Sequence, residues 1–194
     1  MSCKSKVRMV FFASVLLLSL LHTSASYLLS SEKQPSGNAI NYKLVPNLQE
    51  MKDRPLAPDF TLPDLTEGKV SLRDFRGKLL MLNFWASWCI SCREEMPAME
   101  RLYQRYKEQD FAILGLNIKD DKKRALSFVK ELKITFPIGF DPKGEVGLLY
   151  GAWGIPTTYL IDTKGMALAR IVGSADWYSL GVGQLLEKLL REKK

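Results

Sequence analysis

Two cysteines, Cys89 and Cys92, stand two residues apart in the stretch NFWASWCISCREEMP, residues 83–97. A pair at this spacing can hold a metal, close a disulfide that staples a loop, or carry electrons as a dithiol. Zinc takes about four ligands. The chain has one other cysteine, Cys3, and one histidine, His22, both near the N-terminus, so no metal site is expected. A staple is a weak reason for the pair, because the stabilisation a disulfide gives grows with the loop it closes and this loop is short. Dithiol redox chemistry is the favoured reading. The redox group is then the Cys89–Cys92 disulfide itself, and no further cofactor is expected.

That chemistry needs a particular place in the fold. The run KLLMLNFW, residues 78–85, is apolar throughout and has the length of a strand buried on both faces. After the cysteines, Met96, Met99, Leu102, Tyr103 and Tyr106 recur at helical spacing, with Pro97 expected to kink the helix. The pair therefore sits where a strand ends and a helix opens. The first turn of a helix has unsatisfied N–H groups and the positive end of the macrodipole. A thiolate there is stabilised, and cysteines in such motifs titrate at about 3.5–7.5 against about 8.5 for a free thiol. Cys89 is expected to be the exposed, attacking thiol. Cys92, one turn on, is near enough to resolve a mixed disulfide.

The remaining pattern supplies a frame for this turn. APDFTLPDL and GKVSLRDFRGK are two short extended pieces around Thr66-Glu67-Gly68, an N-terminal β-hairpin extension. Residues 111–118 predict a second buried strand, 121–132 a helix, 136–140 a short strand and 143–150 a short helix. Residues 157–162 and 167–173 predict an antiparallel hairpin across a Lys164-Gly165 turn, and an amphipathic helix runs from Trp177 to the end. Strands alternating with helices, then a hairpin and a helix, mean an α/β domain with a mixed central sheet flanked by helices.

The chain of 194 residues, with a net charge of +7, has room for one good core. No stripe of Arg and Lys interleaved with aromatics is present, so nucleic acid is not an expected partner. MSCKSKVR is basic, residues 9–21 are almost wholly apolar, and Thr23-Ser24-Ala25-Ser26 is a small-residue stretch. That is the order of an export signal. Residues 1–29 are read as a cleaved signal peptide or an uncleaved signal anchor, with the following chain exported. Residues 30–54 are read as a linker, with a short helical turn at 44–51, and residues 55–194 as the folded domain.

The segments APDFTL, GKLLMLNFWASWCISCREEMP, FPIGFDPKGEV and YGAWGIPTTYLID occur together and in order. In this the chain resembles the TlpA/ResA-like extracytoplasmic thiol–disulfide oxidoreductases of the thioredoxin superfamily, from Pro55 to about Gly173. The resemblance implies a thioredoxin-like fold, with Cys89 as nucleophile and Cys92 as resolving cysteine. It implies a cis bond before Pro156, which local sequence alone would equally read as a strand-start proline. The backbone of Ile155 would then pair with an extended substrate segment. Thioredoxin has a buried Asp where this chain has Asn83, which cannot titrate. The family has instead an acid after the pair, matched by Glu95, which would take the proton of Cys92; the alternative is an exposed helix glutamate beside Glu94. Trp88, with Trp85, would wall the site and contact substrate, or simply pack.

Ile90-Ser91 departs from the Pro-containing dipeptides common in the family, which bears on the reduction potential. Strongly oxidising relatives have a histidine inside the motif, and this chain has none there, so a protein-disulfide reductase is expected. A disulfide oxidase or isomerase, or a non-catalytic binding module of the same fold, is the alternative. A peroxidase would need a Thr where Ala86 stands. The implied partners are protein disulfides, among them those of apocytochrome c, an integral-membrane electron donor, and the membrane through the N-terminal segment. The implied protein is a monomer on the periplasmic or extracytoplasmic face of a bacterial cell membrane.

Overall fold

Hydrophobic runs and helical periodicity translate into eight strands and four helices among the described residues, 40–192, of the computed structural model. The strands are β1 (Gln49–Glu50), β2 (Thr61–Pro63), β3 (Lys69–Ser71), β4 (Leu79–Trp85), β5 (Phe111–Ile118), β6 (Ile138–Asp141), β7 (Thr157–Ile161) and β8 (Ala167–Val172). The helices are α1 (Ile90–Tyr106), α2 (Lys122–Glu131), α3 (Glu145–Leu149) and α4 (Leu180–Glu192). The predicted signal segment and the first part of the predicted linker lie outside the described residues. No helix among the described residues is long and apolar enough to cross a membrane.

Six strands form one mixed sheet in the order β1-β8-β7-β4-β5-β6. The two continuous apolar runs, β4 and β5, lie side by side in its interior, parallel and buried along their whole length. β6 continues the parallel half, while β7, β8 and β1 are antiparallel to their neighbours. β2 and β3 form a separate antiparallel hairpin, the N-terminal extension. The sheet divides the core into two. Met81 and Trp85 of β4 and Ile113 of β5 face one side, with Met96 and Met99 of α1, Phe128 of α2 and Leu185 of α4. Leu80, Leu82 and Phe84 face the other, with Val70 of the hairpin, Val146 of α3 and Tyr150. This is a thioredoxin-like α/β fold.

The beginning of the body differs from the sequence reading. Tyr42 and Val45 are buried, and β1 adds to β8 through Gln49–Arg170 and Glu50–Ala169. Residues 40–54 are thus part of the folded body, not a free linker. The helical turn is also earlier than expected: a 3-10 turn spans Tyr42–Leu44, capped by Asn41, and residues 49–50 are extended. The polar composition of 30–54 masked a few apolar side chains, and the open edge of β8 supplied the pairing that a local reading cannot see. At the other end, α4 starts at Leu180, three residues after the expected Trp177. Trp177 precedes the helix and is buried on its own account.

Candidate active site

The end of β4 and the start of α1 bring the cysteines together. Cys89 is the N-cap of α1, in extended backbone conformation, and its Sγ accepts the N–H of Cys92 at 3.2 Å. Cys89 and Cys92 form a disulfide with their Cα atoms 5.3 Å apart. Cys89 retains 6% of its surface and Cys92 none. The predicted order of access holds, but the first cysteine is a nearly covered sulfur rather than an exposed one.

The turn that carries them is tied to the far end of β5. Asp120 accepts the backbone N–H of Ser87 at 2.5 Å and its hydroxyl at 2.9 Å, and also Asn117 Nδ2 and the Asp121 N–H. Burial acts to raise this carboxyl; the hydrogen bonds from Asn117, Ser87 and Asp121 outweigh it and hold it below its ordinary range. Trp88 Nε1 donates to the Lys119 carbonyl at 3.2 Å, on the same segment. Two consecutive residues ahead of Cys89 are therefore fixed to residues 119–120.

The β4–β7 register brings the third strand to the site. Asn83 pairs with Thr158 and Phe84 with Thr157, so residues 155–156 continue alongside the turn that follows Trp85. The Ile155–Pro156 bond is cis, Pro156 is buried, and Ile155 is partly exposed. The approach to this loop is anchored by Tyr150, whose hydroxyl donates to the Pro58 carbonyl at 2.6 Å and whose ring packs against Phe60, Phe84 and Tyr159. Tyr159 donates back to the Tyr150 carbonyl at 2.5 Å.

Glu95 follows Cys92 by three residues, on the same face of α1, and is only 4% exposed. It is not an exposed helix glutamate. Its carboxylate accepts three hydrogen bonds: Asn83 Nδ2 on Oε1 at 3.0 Å, and Trp177 Nε1 at 2.9 Å and the Ala175 N–H at 3.2 Å, both on Oε2. Burial pushes its pKa up to about 7, against which these three donors pull downward. A carboxyl that titrates near neutrality one turn from a buried cysteine is suited to moving a proton.

The two tryptophans separate. Trp88 is 56% exposed at the rim, where a substrate segment can touch it. Trp85 is fully buried and stacks on Phe128 at 4.7 Å. Its position in β4 points it into the same core layer as Met81, a layer that also holds Cys89 and Cys92. Among the described residues, no three His, Cys, Asp or Glu come together as a metal site.

The AhpC/TSA family model matches residues 55–168. The chain is 40% identical to the thiol-disulfide oxidoreductase ResA of Bacillus thuringiensis subsp. konkukian over 117 residues, 60% of this chain and 68% of that one. The chain belongs to the AhpC/TSA family, among relatives of the ResA thiol–disulfide oxidoreductases. It is also 42% identical over 121 residues to the thioredoxin-like protein YneN of Bacillus subtilis, covering 61% of this chain and 70% of that one. A crystal structure from Chlorobium tepidum, described as a candidate thiol:disulfide interchange protein DsbE, superposes with a TM-score of 0.65 at 37% identity, over 70% of this chain and 95% of that one. The enzyme is a thiol–disulfide oxidoreductase.

Sequence reasoning missed three contributors to this ResA-like site. Asp120 was one of two consecutive acids before a helix. Since Asp121 caps α2, Asp120 was not needed as a cap, and that surplus was a usable signal. Trp177 read as the start of a helix, and Thr158 as an ordinary strand residue. Nothing in the local sequence ties either of them to Glu95.

Proposed function

We propose that this enzyme reduces protein disulfides at the extracytoplasmic face of a membrane. Cys89 attacks one sulfur of a client disulfide, forming a mixed disulfide and releasing the other client sulfur as a thiolate. Cys92 then gives its proton to Glu95 and attacks Cys89 Sγ, releasing the second client sulfur, which takes up a proton. The enzyme is left with the Cys89–Cys92 disulfide and the client with two thiols. An integral-membrane dithiol donor returns the two electrons. Trp88 at the rim and the Ile155 backbone beside Pro156 hold the client as a short added strand. Apocytochrome c is the client class that the resemblance favours, and the basic, then apolar, start of the sequence supports export.

The observation that carries this reading is the Cys89 Sγ at the N-cap of α1 with Glu95 buried one turn beyond Cys92. The test is the equilibrium reduction potential of the couple in the full-length protein, followed by tryptophan fluorescence in thiol–disulfide buffers. A value near about −270 mV, as in thioredoxin, supports a reductant. A value near about −120 mV makes the protein a disulfide-forming oxidant and overturns the proposal.

A further inference from the structure

The segment between β8 and α4 holds one oxygen of the Glu95 carboxylate from two sides. The Trp177 indole N–H and the Ala175 backbone N–H both donate to Oε2, at 2.9 and 3.2 Å. Oε1 is held separately by Asn83 from β4. Trp177 is itself buried in the core beside α1 and α4, so its ring cannot swing away without opening the core. We propose that Trp177 is a positioning residue that fixes the Glu95 carboxylate behind Cys92 and sets its affinity for a proton. Its bearing on catalysis rests on the role given to Glu95 above.

The choice of indole has a chemical reason. Trp Nε1–H is a donor only. It can stabilise an ionised carboxylate and cannot accept from a protonated one at the same atom. The Ala175 N–H acts in the same sense. Burial favours the protonated carboxyl, and two fixed donors on one oxygen oppose it. The balance is a group that can both take and release a proton near neutral pH. Around Glu95, the neighbours from β4 and β7 are Asn83 and Thr158, which do not ionise. Its own helix brings Cys92 and, in solvent, Glu94. The clamp segment brings Asp176, also exposed. Among the described residues, no ion pair to Glu95 competes with the clamp.

The test uses the full-length protein with 13C-labelled glutamate, the Glu95 carboxyl signal being assigned with Glu95→Gln. Trp177→Phe keeps an aromatic ring and removes the donor. The expected result is an upward shift of the Glu95 titration midpoint by about one unit. At pH 7 this lowers the rate of Cys92 attack on a Cys89–thionitrobenzoate mixed disulfide by about fivefold. Trp85→Phe removes an equally buried indole of the same core layer whose Nε1 has no hydrogen-bond partner, and leaves the midpoint in place. An unmoved midpoint in Trp177→Phe, or the same shift in both variants, overturns the proposal. Should Trp177→Phe fail to fold, the indole Hε1 resonance of Trp177 in the unaltered protein gives the answer. It moves with pH at the Glu95 midpoint if the clamp is real, and stays constant if it is not. If Glu95→Gln leaves the resolving rate unchanged while the midpoint still moves in Trp177→Phe, the clamp stands and the catalytic reading of Glu95 falls.

Discussion

Asn83 and Glu95 meet in the core at 3.0 Å, the amide on β4 donating to the carboxylate on α1. The same amide nitrogen donates to Thr158 Oγ1 at 2.9 Å, joining α1, β4 and β7 through one side chain. Both residues on α1 and β4 are almost wholly buried. The strand position carries a neutral amide rather than an acid, and that amide is a hydrogen-bond donor to the acid on the helix. A neutral amide lets Glu95 ionise without a like charge beside it.

Asn83→Asp reverses that arrangement. Two buried carboxyls within hydrogen-bond reach share a proton, and the second proton leaves only at a strongly raised pKa. A raised folded-state pKa gives stability that is complete below the unfolded value and lost as pH rises through the folded one. The variant should therefore resemble the wild type near pH 5 and fall well below it at pH 8.5. Urea midpoints at the two pH values check this; parallel pH dependences in the two proteins would show that the acids do not interact.

Glu95→Gln removes the titration altogether. The Glu95 pKa is raised from 4.5 to about 7 by burial. Its protonated form therefore favours folding fully below about pH 4.5, and the contribution fades as pH rises through about 7. Across that window the change amounts to roughly 3 kcal/mol. The Gln variant should lose this component of the pH dependence and gain on the wild type at pH 8. Its amide is accommodated if Asn83 turns its carbonyl oxygen, unpartnered in the present arrangement, toward it. The resolving step should lose its rise through pH 7 at the same time. Urea denaturation and single-turnover rates from pH 5 to 9 measure the two effects; a resolving rate that still rises through pH 7 in the variant assigns that proton to another group.

Asp120→Ala cuts the tie between the cysteine turn and β5. The Ser87 N–H loses its acceptor, as do the Ser87 hydroxyl and the Asn117 amide. Unsatisfied buried donors cost about 1–3 kcal/mol each, and partial exposure of Ser87 limits the loss to about 2–4 kcal/mol in all. Amide exchange at Ser87 should accelerate far more than at mid-β4. The sign with pH is opposite to that of Glu95. A lowered carboxyl gives stability above its unfolded pKa, lost as pH falls through the folded one, so the variant's deficit should shrink in acid. Hydrogen exchange at Ser87 unchanged from wild type would remove Asp120 from the positioning of the turn.

The central strands, the helix that opens on the cysteines and the terminal hairpin were legible because each is a local pattern: continuous apolar runs, helical spacing, a Lys-Gly turn. The cysteine pair was legible because few chemistries suit two cysteines at that place, and the cis bond before Pro156 only through the family resemblance. Glu95 was visible only as an acid at a matched position. Its burial depends on Trp177, which follows it by 82 residues, and no window along the chain contains both. Trp85 and Trp88 look equivalent in sequence. Their difference is one of strand against turn: the last residue of β4 points into a core layer, and the residue beyond the turn points to the rim. The segment 40–54 was hidden by its polar composition, because the partner that orders it, β8, lies more than a hundred residues away.

That last segment yields the simplest prediction. The family match begins at residue 55, but the described body already includes residues 40–54. A chain starting at Pro55 lacks buried Tyr42 and Val45, and it lacks β1, which covers the edge of β8. Burial of the two side chains favours the body by about 3 kcal/mol, less the cost of the Tyr42 hydroxyl, which is buried without a partner among the described residues. The Met51 N–H to Leu168 carbonyl bond at 2.9 Å is also lost. The bared β8 edge becomes a template for pairing with another chain. A chain starting at Ile40 should retain the full-length urea midpoint and stay monodisperse. One starting at Pro55 should unfold at clearly lower urea and self-associate at high concentration. Equal midpoints and equal scattering for the two would mean that residues 40–54 rest on the body without stabilising it.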